Sequence, residues 1–426
     1  MKAPNELSAS EAAAAIAAGR LTSADLVAAC IARIEAREPT VKAWEQFDAA
    51  RALAAARARD KETPRGPLHG VPVGIKDIID TADFPTAYGS PIYAGHRPRA
   101  DAACVALVRR AGGIIMGKTV TTEFAAFYPG KTANPHNPKH TPGGSSSGSA
   151  AAVADHQVPV AFGTQTAGSI TRPSAFCGVV GFKPSFNTYS WCGAKAEAPS
   201  FDTLGTIGRT VEDALLMWRV LQAGDAPASP SLPARPRIGL CRTPFWSAAA
   251  PEAREAFRLA GQKLAAGGYE LEELELPARF ESLLETHKFV LDYEAARTWA
   301  YESEPPQRDK LSKPLRAMVD RGWTLKPADY LEQRRAMARA RLEFTAIVQR
   351  YDAVMAPAAP GEAPLGLEAT GDPVFSRMWT LLHVPTFNLT VSKGPNGLPV
   401  GVQFIGGIDG DLALLNLGLR LSECLA

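Results

Sequence analysis

Three residues of this 426-residue chain could carry out acyl transfer, and each sits in its own glycine-rich setting. Lys76 closes Gly70-Val71-Pro72-Val73-Gly74-Ile75-Lys76. Ser145 lies in Gly143-Gly144-Ser145-Ser146-Ser147-Gly148-Ser149. Ser169 lies in Gly163-Thr164-Gln165-Thr166-Ala167-Gly168-Ser169-Ile170. A serine becomes a nucleophile when a base takes its proton, and a neutral lysine amine can be that base without histidine or metal. Free lysine titrates near about 10.4, so burial must suppress its charge. Val71, Val73, Ile75, Ile78 and Ile79 supply apolar surroundings. Asp77 points away from Lys76 if the segment is extended. The small residues before Ser169 let the backbone approach a ligand closely. A turn into a helix near Ile170 would aim several N–H groups at one spot, as a tetrahedral oxyanion requires. A serine between a lysine and a nucleophile can carry a proton both ways.

Each feature has a plainer alternative. Ser169 could cap a short helix, Lys76 could be a surface lysine at a strand end, and 143–149 could be a flexible linker. The linker alternative fits poorly, because the loop runs straight into an alanine-rich helical segment at 149–154. A phosphate loop fits poorly too, because the final position of Gly-x-x-x-x-Gly-Lys-Ser/Thr has no counterpart. Gly144 to Gly148 formally matches the Gly-x-Ser-x-Gly elbow, with Ser146 at its centre. That elbow needs an acid and then a histidine downstream, and His156, His287 and His383 have no telling context. His136 and His140 have metal-like spacing but lie in a Pro/Asn loop without further ligands. Cys177 reads as packing in an apolar run. Trp191, Trp379 and Phe127 read as core aromatics or as the lining of an acyl pocket.

These residues need a scaffold. Ser8-x-x-Glu11 and Thr22-x-x-Asp25 fit capping-box starts. Leu26, Cys30, Ile31 and Ile34 then recur at helical spacing, and Leu53 lies in an Ala/Arg-rich helix. Between about 66 and 210, short β-branched runs near 113–116 and 158–162 alternate with helices such as 101–112. A Pro/Ala/Ser-rich linker is expected at 224–236. Beyond it the pattern predicts strands at 238–241, 269–276, 353–355, 387–392 and 399–405. Helices are predicted at 251–266, 278–302, 327–350 and 375–383, with a last one from 411. The last strands and helix are expected to return to the first sheet, making 1–426 a single domain with its signature core at about 66–210.

Composition narrows the class. A hydrophobic fraction of 46% and a charged fraction of 21% are those of a soluble globular protein. A net charge of +2 gives no reason to expect nucleic acid or an anionic membrane as partner. The cysteines at 30, 104, 177, 192, 241 and 424 are scattered, which suits reduced thiols in a cytoplasm. No apolar run is long enough for a membrane span.

In order, local sequence and separation, the three motifs resemble the amidase signature family; the two serines are 24 residues apart (169 − 145), as in that family. The resemblance runs over nearly the whole chain. It is strongest from Gly66 to Thr210 and returns from Phe387 to Gly406, with Gly397-Leu398-Pro399-Val400-Gly401-Val402-Gln403. It implies an α/β fold with a mixed central sheet covered by helices on both faces. It also implies hydrolysis of a small carboxamide through a Ser-cisSer-Lys triad and an acyl-enzyme, with no cofactor and no metal. On this resemblance Ser169 is the nucleophile and Lys76 the general base. Ser145, after a non-proline cis peptide, is the bridge. The N–H groups of Thr166, Ala167, Gly168 and Ser169 form the oxyanion hole. Gly144, Ser146, Gln165 and Arg172 are the expected substrate-binding residues.

The chain departs from the common pattern in two places. Many members read Gly-Thr-Asp-Thr-Gly-Gly-Ser, where this chain has Gln165 and Ala167. Many carry arginine two residues after the nucleophile, where this chain has Thr171 and then Arg172. The run Gly-Thr-Gln-Thr-x-Gly-Ser-x-x-Arg-Pro is most similar to malonamidase-like members, whose arginine holds a substrate carboxylate. Arg172 could do so bidentately, or could serve a structural role. The resemblance also admits ureido-group hydrolases (biuret or allophanate type), the glutaminase component of a tRNA-dependent amidotransferase, and a non-catalytic binding member. Members of the family are often homodimers, and no residue pattern here fixes an assembly.

Overall fold

The computed structural model describes residues 2–222 and 232–426. Most of the expected 224–236 linker therefore lies outside the described residues. The strands are β1 (Trp44–Phe47), β2 (Pro72–Lys76), β3 (Ile114–Thr119), β4 (Val160–Gln165), β5 (Val180–Lys183), β6 (Thr203–Gly208), β7 (Arg237–Leu240), β8 (Glu270–Glu273), β9 (Ala353–Pro357), β10 (Thr386–Lys393) and β11 (Pro399–Ile405). They form one sheet in the order β1-β3-β2-β4-β6-β5-β10-β11-β9-β7-β8. Strands from before and after 224–236 thus share hydrogen bonds: β10 pairs β5, with Thr386 opposite Lys183. The pairings are mixed. β2 runs parallel to β3 and β4, β7 runs parallel to β8 and β9, and the strands between are antiparallel.

Side-chain alternation explains why helices cover both faces. On β3, Ile115 joins one apolar cluster while Ile114 and Met116 join another. On β4, Val160 and Phe162 go to the first and Ala161 to the second. A strand with apolar residues on both faces must be covered on both. The helices are α1 (Ala9–Ala17), α2 (Ser23–Val41), α3 (Ala49–Arg59), α4 (Ala103–Arg110), α5 (Ser147–Ala154), α6 (Thr171–Cys177), α7 (Val211–Gln222), α8 (Pro251–Ala266), α9 (Leu283–Thr298), α10 (Lys313–Thr324), α11 (Pro327–Val348), α12 (Val374–Leu381) and α13 (Asp411–Leu425).

Both expected caps form: the Glu11 amide donates to Ser8 Oγ at 3.1 Å and the Asp25 amide to Thr22 Oγ1 at 3.0 Å. The strands β1, β5 and β6 and the helices α7 and α10 were not among the sequence expectations. β5 and β6 are short and glycine-containing, which leaves little apolar pattern to read. No helix among the described residues is long and apolar enough to cross a membrane.

Candidate active site

β2 and β4 run parallel and end side by side, with Gly74 opposite Ala161. Ligands of α/β sheets bind at such carboxyl ends. Lys76, the last residue of β2, is fully buried there. Its Nζ lies 2.7 Å from Ser145 Oγ, 2.7 Å from Thr164 Oγ1 and 3.5 Å from the Thr164 carbonyl. Burial pulls its pKa down to about 7, against the opposing pull of Glu197 and Asp202. Asp77 turns away, as an extended segment requires, and pairs with Lys118 of β3 at 3.1 Å. Among the described residues, therefore, no carboxylate touches Lys76. Thr164 is a site residue the sequence reading passed over, although it stands inside the quoted Ser169 motif.

The Gly144–Ser145 peptide is cis. Ser145 is buried, and α5 begins two residues later. Ser146 ties this loop to the Ser169 segment. Its amide donates to the Ser169 carbonyl at 3.3 Å, and its Oγ lies 3.3 Å from both the amide and the carbonyl of Thr164. The Ser169 side chain is 7% exposed, and among the described residues its hydroxyl makes no hydrogen bond.

The segment 166–169 has its carbonyls tied down and its N–H groups left open. The Thr166 carbonyl faces His287 Nε2 at 2.8 Å, and the Ala167 carbonyl accepts from Thr380 Oγ1 at 2.9 Å. The Gly168 carbonyl accepts from the Arg172 amide at 2.9 Å. No group among the described residues accepts from the N–H groups of Thr166, Ala167, Gly168 or Ser169. A planar trans peptide holds N–H opposite C=O, so the Ala167 and Gly168 N–H groups face away from α9 and α12. Glycine is required at 168 because α12 lies against it: a Cβ there would meet Pro373 Cβ at 2.8 Å and Ser376 Cβ at 3.0 Å.

The expected substrate-binding residues divide on inspection. Gln165 has both ends of its amide engaged within the protein. Its oxygen accepts from the amides of Ile170 and Thr171 at 2.9 and 3.0 Å, and its nitrogen donates to Thr380 Oγ1 at 3.0 Å. It caps the start of α6, where an acid stands in many family members. Arg172 donates through Nη2 to the Gly144 carbonyl at 2.6 Å and to Thr370 Oγ1 at 3.0 Å. Its Nε is buried without a partner among the described residues. Burial, reinforced by Arg377, lowers its pKa to about 9.

Several groups around the site had no signal in the sequence. Thr166 Oγ1 donates to Asp202 Oδ1 at 2.6 Å, while Asp202 Oδ2 accepts from the amides of Glu197 and Ala198. Burial raises Asp202 to about 7 and Glu197 well above the usual carboxylate range. His287, buried on α9, has Arg377 Nη1 3.1 Å from its Nδ1. Arginine only donates, so Nδ1 accepts and the Nε2 proton goes to the Thr166 carbonyl. Burial and the nearby arginine lower His287 to about 3, so it is neutral. His136 and His140 bond the carbonyls of Cys177 and Ala363. Trp379 is fully buried core, whereas Phe127 is 39% exposed and borders a cavity.

The comparisons with known proteins bear on the family and the fold. Residues 25–415 match the family model described as Amidase. The chain is 33% identical to a component of the glutamyl-tRNA(Gln) amidotransferase of Chloroflexus aggregans, over 97% of this chain and 95% of that protein. It superposes on the crystal structure of an amidase with a TM-score of 0.90 and 30% identity, covering 99% and 100% of the two chains. It also superposes on a chain of an inhibitor-bound vestigial protein complex described as revealing the evolutionary origins of an s-triazine catabolic enzyme, with a TM-score of 0.88 and 27% identity over 98% of each chain. With the sheet, the lysine–serine contact and these likenesses in agreement, the chain belongs to the amidase (amidase signature) family and is a hydrolase of amide carbon–nitrogen bonds.

Proposed function

We propose that this chain is a hydrolase of small carboxamides that works through Ser169, Ser145 and Lys76. The observation that carries the reading is the buried Lys76 amine, 2.7 Å from Ser145 Oγ and, among the described residues, free of carboxylate contact. A neutral amine has two protons and one lone pair. The two protons suit the oxygens of Thr164, and the lone pair suits the Ser145 hydroxyl. Lys76 takes the Ser145 proton as Ser145 takes that of Ser169. Ser169 Oγ then attacks the amide carbonyl. The resulting oxyanion lies against the open N–H groups of the 166–169 segment. Return of the proton through Ser145 to the nitrogen breaks the C–N bond and releases ammonia or an amine. Water, deprotonated by the same relay, hydrolyses the ester and restores Ser169. The continuous sheet supports reading 1–426 as one unit.

The test is ammonia release from malonamate, biuret, aliphatic and aromatic amides and glutamine, by wild type and Ser169→Ala. Loss in the variant is the expected result. Equal release by both proteins would remove Ser169 from the mechanism. A second reading, the glutaminase component of a tRNA-dependent amidotransferase, draws on the likeness to the Chloroflexus protein. It predicts glutamine as the preferred substrate of the panel. The substitution of Gln165 for the common acid, and the position of Arg172, weigh against it.

A further inference from the structure

A cavity of about 520 Å³ opens between α9, α11 and the chain around Phe186, Ser200 and His383. Lys76, Ser145 and Ser169 take no part in its lining, so it stands apart from the reaction centre. Three guanidinia line it: Arg297 on α9, and Arg334 and Arg341 on α11. Arg334 and Arg341 are seven residues apart, about two helical turns, and so share one face of α11.

Neutral groups hold all three in place. Arg297 Nη1 donates to the carbonyls of Tyr293 at 2.8 Å and Gly322 at 3.2 Å, and its guanidinium lies 3.4 Å from the centre of the Tyr293 ring. Arg334 Nη1 donates to the Tyr330 hydroxyl at 2.9 Å. Arg341 Nε donates to the Leu381 carbonyl at 2.9 Å, and its Nη2 lies 2.7 Å from His383 Nε2. Burial and the Arg341 charge lower His383 to about 3, so it is neutral. Among the described residues, no acceptor meets Arg297 Nε and Nη2, Arg334 Nε and Nη2, or Arg341 Nη1.

Among the described residues, Glu294 is the one carboxylate of the lining, and its oxygens are already engaged. Oε2 accepts from the Ser200 amide at 2.8 Å. Oε1 accepts from the Ser200 hydroxyl at 2.5 Å and from the Tyr330 hydroxyl at 2.6 Å. Three positive charges therefore face one negative charge. Burial, reinforced by Arg334, lowers Arg341 to about 10, which leaves it charged at neutral pH. Like charges gathered in a concave site concentrate anions there. The excess of two positive charges matches a phosphoryl group, which carries about −1.5 to −2 at pH 7 and offers three acceptor oxygens. Guanidinium forks suit such oxygens. The cavity exceeds a bare phosphate in size, and Phe186, stacked on His383 with ring centres 4.0 Å apart, adds an apolar wall.

We propose that this cavity binds a phosphoryl dianion, free or as a small monoester, between Arg297, Arg334 and Arg341. The bound group neutralises the excess charge and takes up the N–H groups that the protein leaves open. It binds outside the reaction centre, alongside an amide at Ser169.

The test is isothermal titration calorimetry of the full chain, a readout independent of amide hydrolysis. The probes are inorganic phosphate, adenosine 5′-monophosphate and adenosine. At least one phosphoryl probe binds with a Kd below about 1 mM, and adenosine binds at least about tenfold more weakly than the monophosphate, or neither nucleoside probe binds. Arg334→Gln and Arg341→Gln each weaken the phosphoryl probe at least about tenfold, the scale of a lost hydrogen bond to a charged group. Arg339→Gln, on α11 but outside the lining, leaves binding unchanged. Arg334 is exposed, so its variant keeps the test intact should Arg341→Gln, which frees the Leu381 carbonyl, fail to fold. Tighter binding of the monophosphate assigns a monoester; equal or tighter binding of phosphate assigns the phosphoryl group alone, and either result supports the site. Three results overturn it: no binding of either phosphoryl probe at millimolar concentration, adenosine binding as tightly as its monophosphate, or a loss in Arg339→Gln as large as in Arg334→Gln. Undiminished binding in a folded Arg334→Gln overturns it too.

Discussion

Lys76 should report its own titration in the rate. With a pKa of about 7 in place of 10.5, about half of the lysine is neutral at pH 7, against roughly one part in 3,000 for an unshifted lysine. The free enzyme's kcat/KM should then fall about tenfold per pH unit below about pH 6 and level off above about pH 8. The same burial acts on stability. Because the folded pKa is lowered, between about pH 7 and 10.5 the unfolded chain binds a proton at Lys76 that the folded chain does not, so stability from this group rises with pH. The opposition to folding reaches at most about 5 kcal/mol below pH 7, at about 1.36 kcal/mol per pH unit. Lys76→Met removes both effects. Its thermal midpoint should gain on wild type as pH falls from 10 to 7, and then stay level, while ammonia release is abolished. Lys76→Arg, which cannot lose its proton, should be inactive at every pH. The assays are initial rates across pH and differential scanning calorimetry of wild type and variant in the same buffers. A flat rate profile from about pH 5.5 to 8.5, or an active Lys76→Met, would refute the lysine-base argument.

Three other substitutions probe the surrounding frame. Thr164→Val removes the 2.7 Å contact to Nζ; kcat should drop about tenfold, in line with loss of one hydrogen bond of about 1.5 kcal/mol, with KM little changed in steady-state assays. Gly168→Ala places a Cβ 2.8 Å from Pro373 Cβ, so the melting transition should show a loss of about 1–3 kcal/mol, with activity falling as α12 is displaced. Arg172→Met leaves the Gly144 carbonyl without its 2.6 Å donor. It should lower kcat alike on neutral and acidic amides, and a loss confined to acids would make Arg172 the partner of a substrate carboxylate.

Much of the scaffold was legible because its signals are local. The caps at Ser8 and Thr22 depend on residues three apart, and the helix at 251–266 and the strand at 399–405 have the expected limits because periodicity and punctuation coincide there. The strands β5 and β6 were not legible, because what makes them strands is pairing with β10 and β4 rather than their own residues. In the site, the lysine, the two serines and the small residues before Ser169 stood out because their chemistry and spacing are unusual within a few positions. Gln165 and Arg172 stood out for the same reason, yet sequence could not say where their side chains go. Only the folded chain turns Gln165 onto the start of α6 and Arg172 onto the Gly144 carbonyl.

Residue types and their spacing were enough for acyl transfer, by showing which groups can give and take a proton and which backbone can receive an oxyanion; the amide bond as its target came with the family resemblance. What surrounds those groups came from packing. Folding buried Lys76 at the end of β2, set neutral His287 behind Thr166, and brought Arg377 to His287 from 208 residues beyond Ser169 (377 − 169). Burial and counter-ion distance are properties of contact among distant segments, and no local pattern of residue types encodes them.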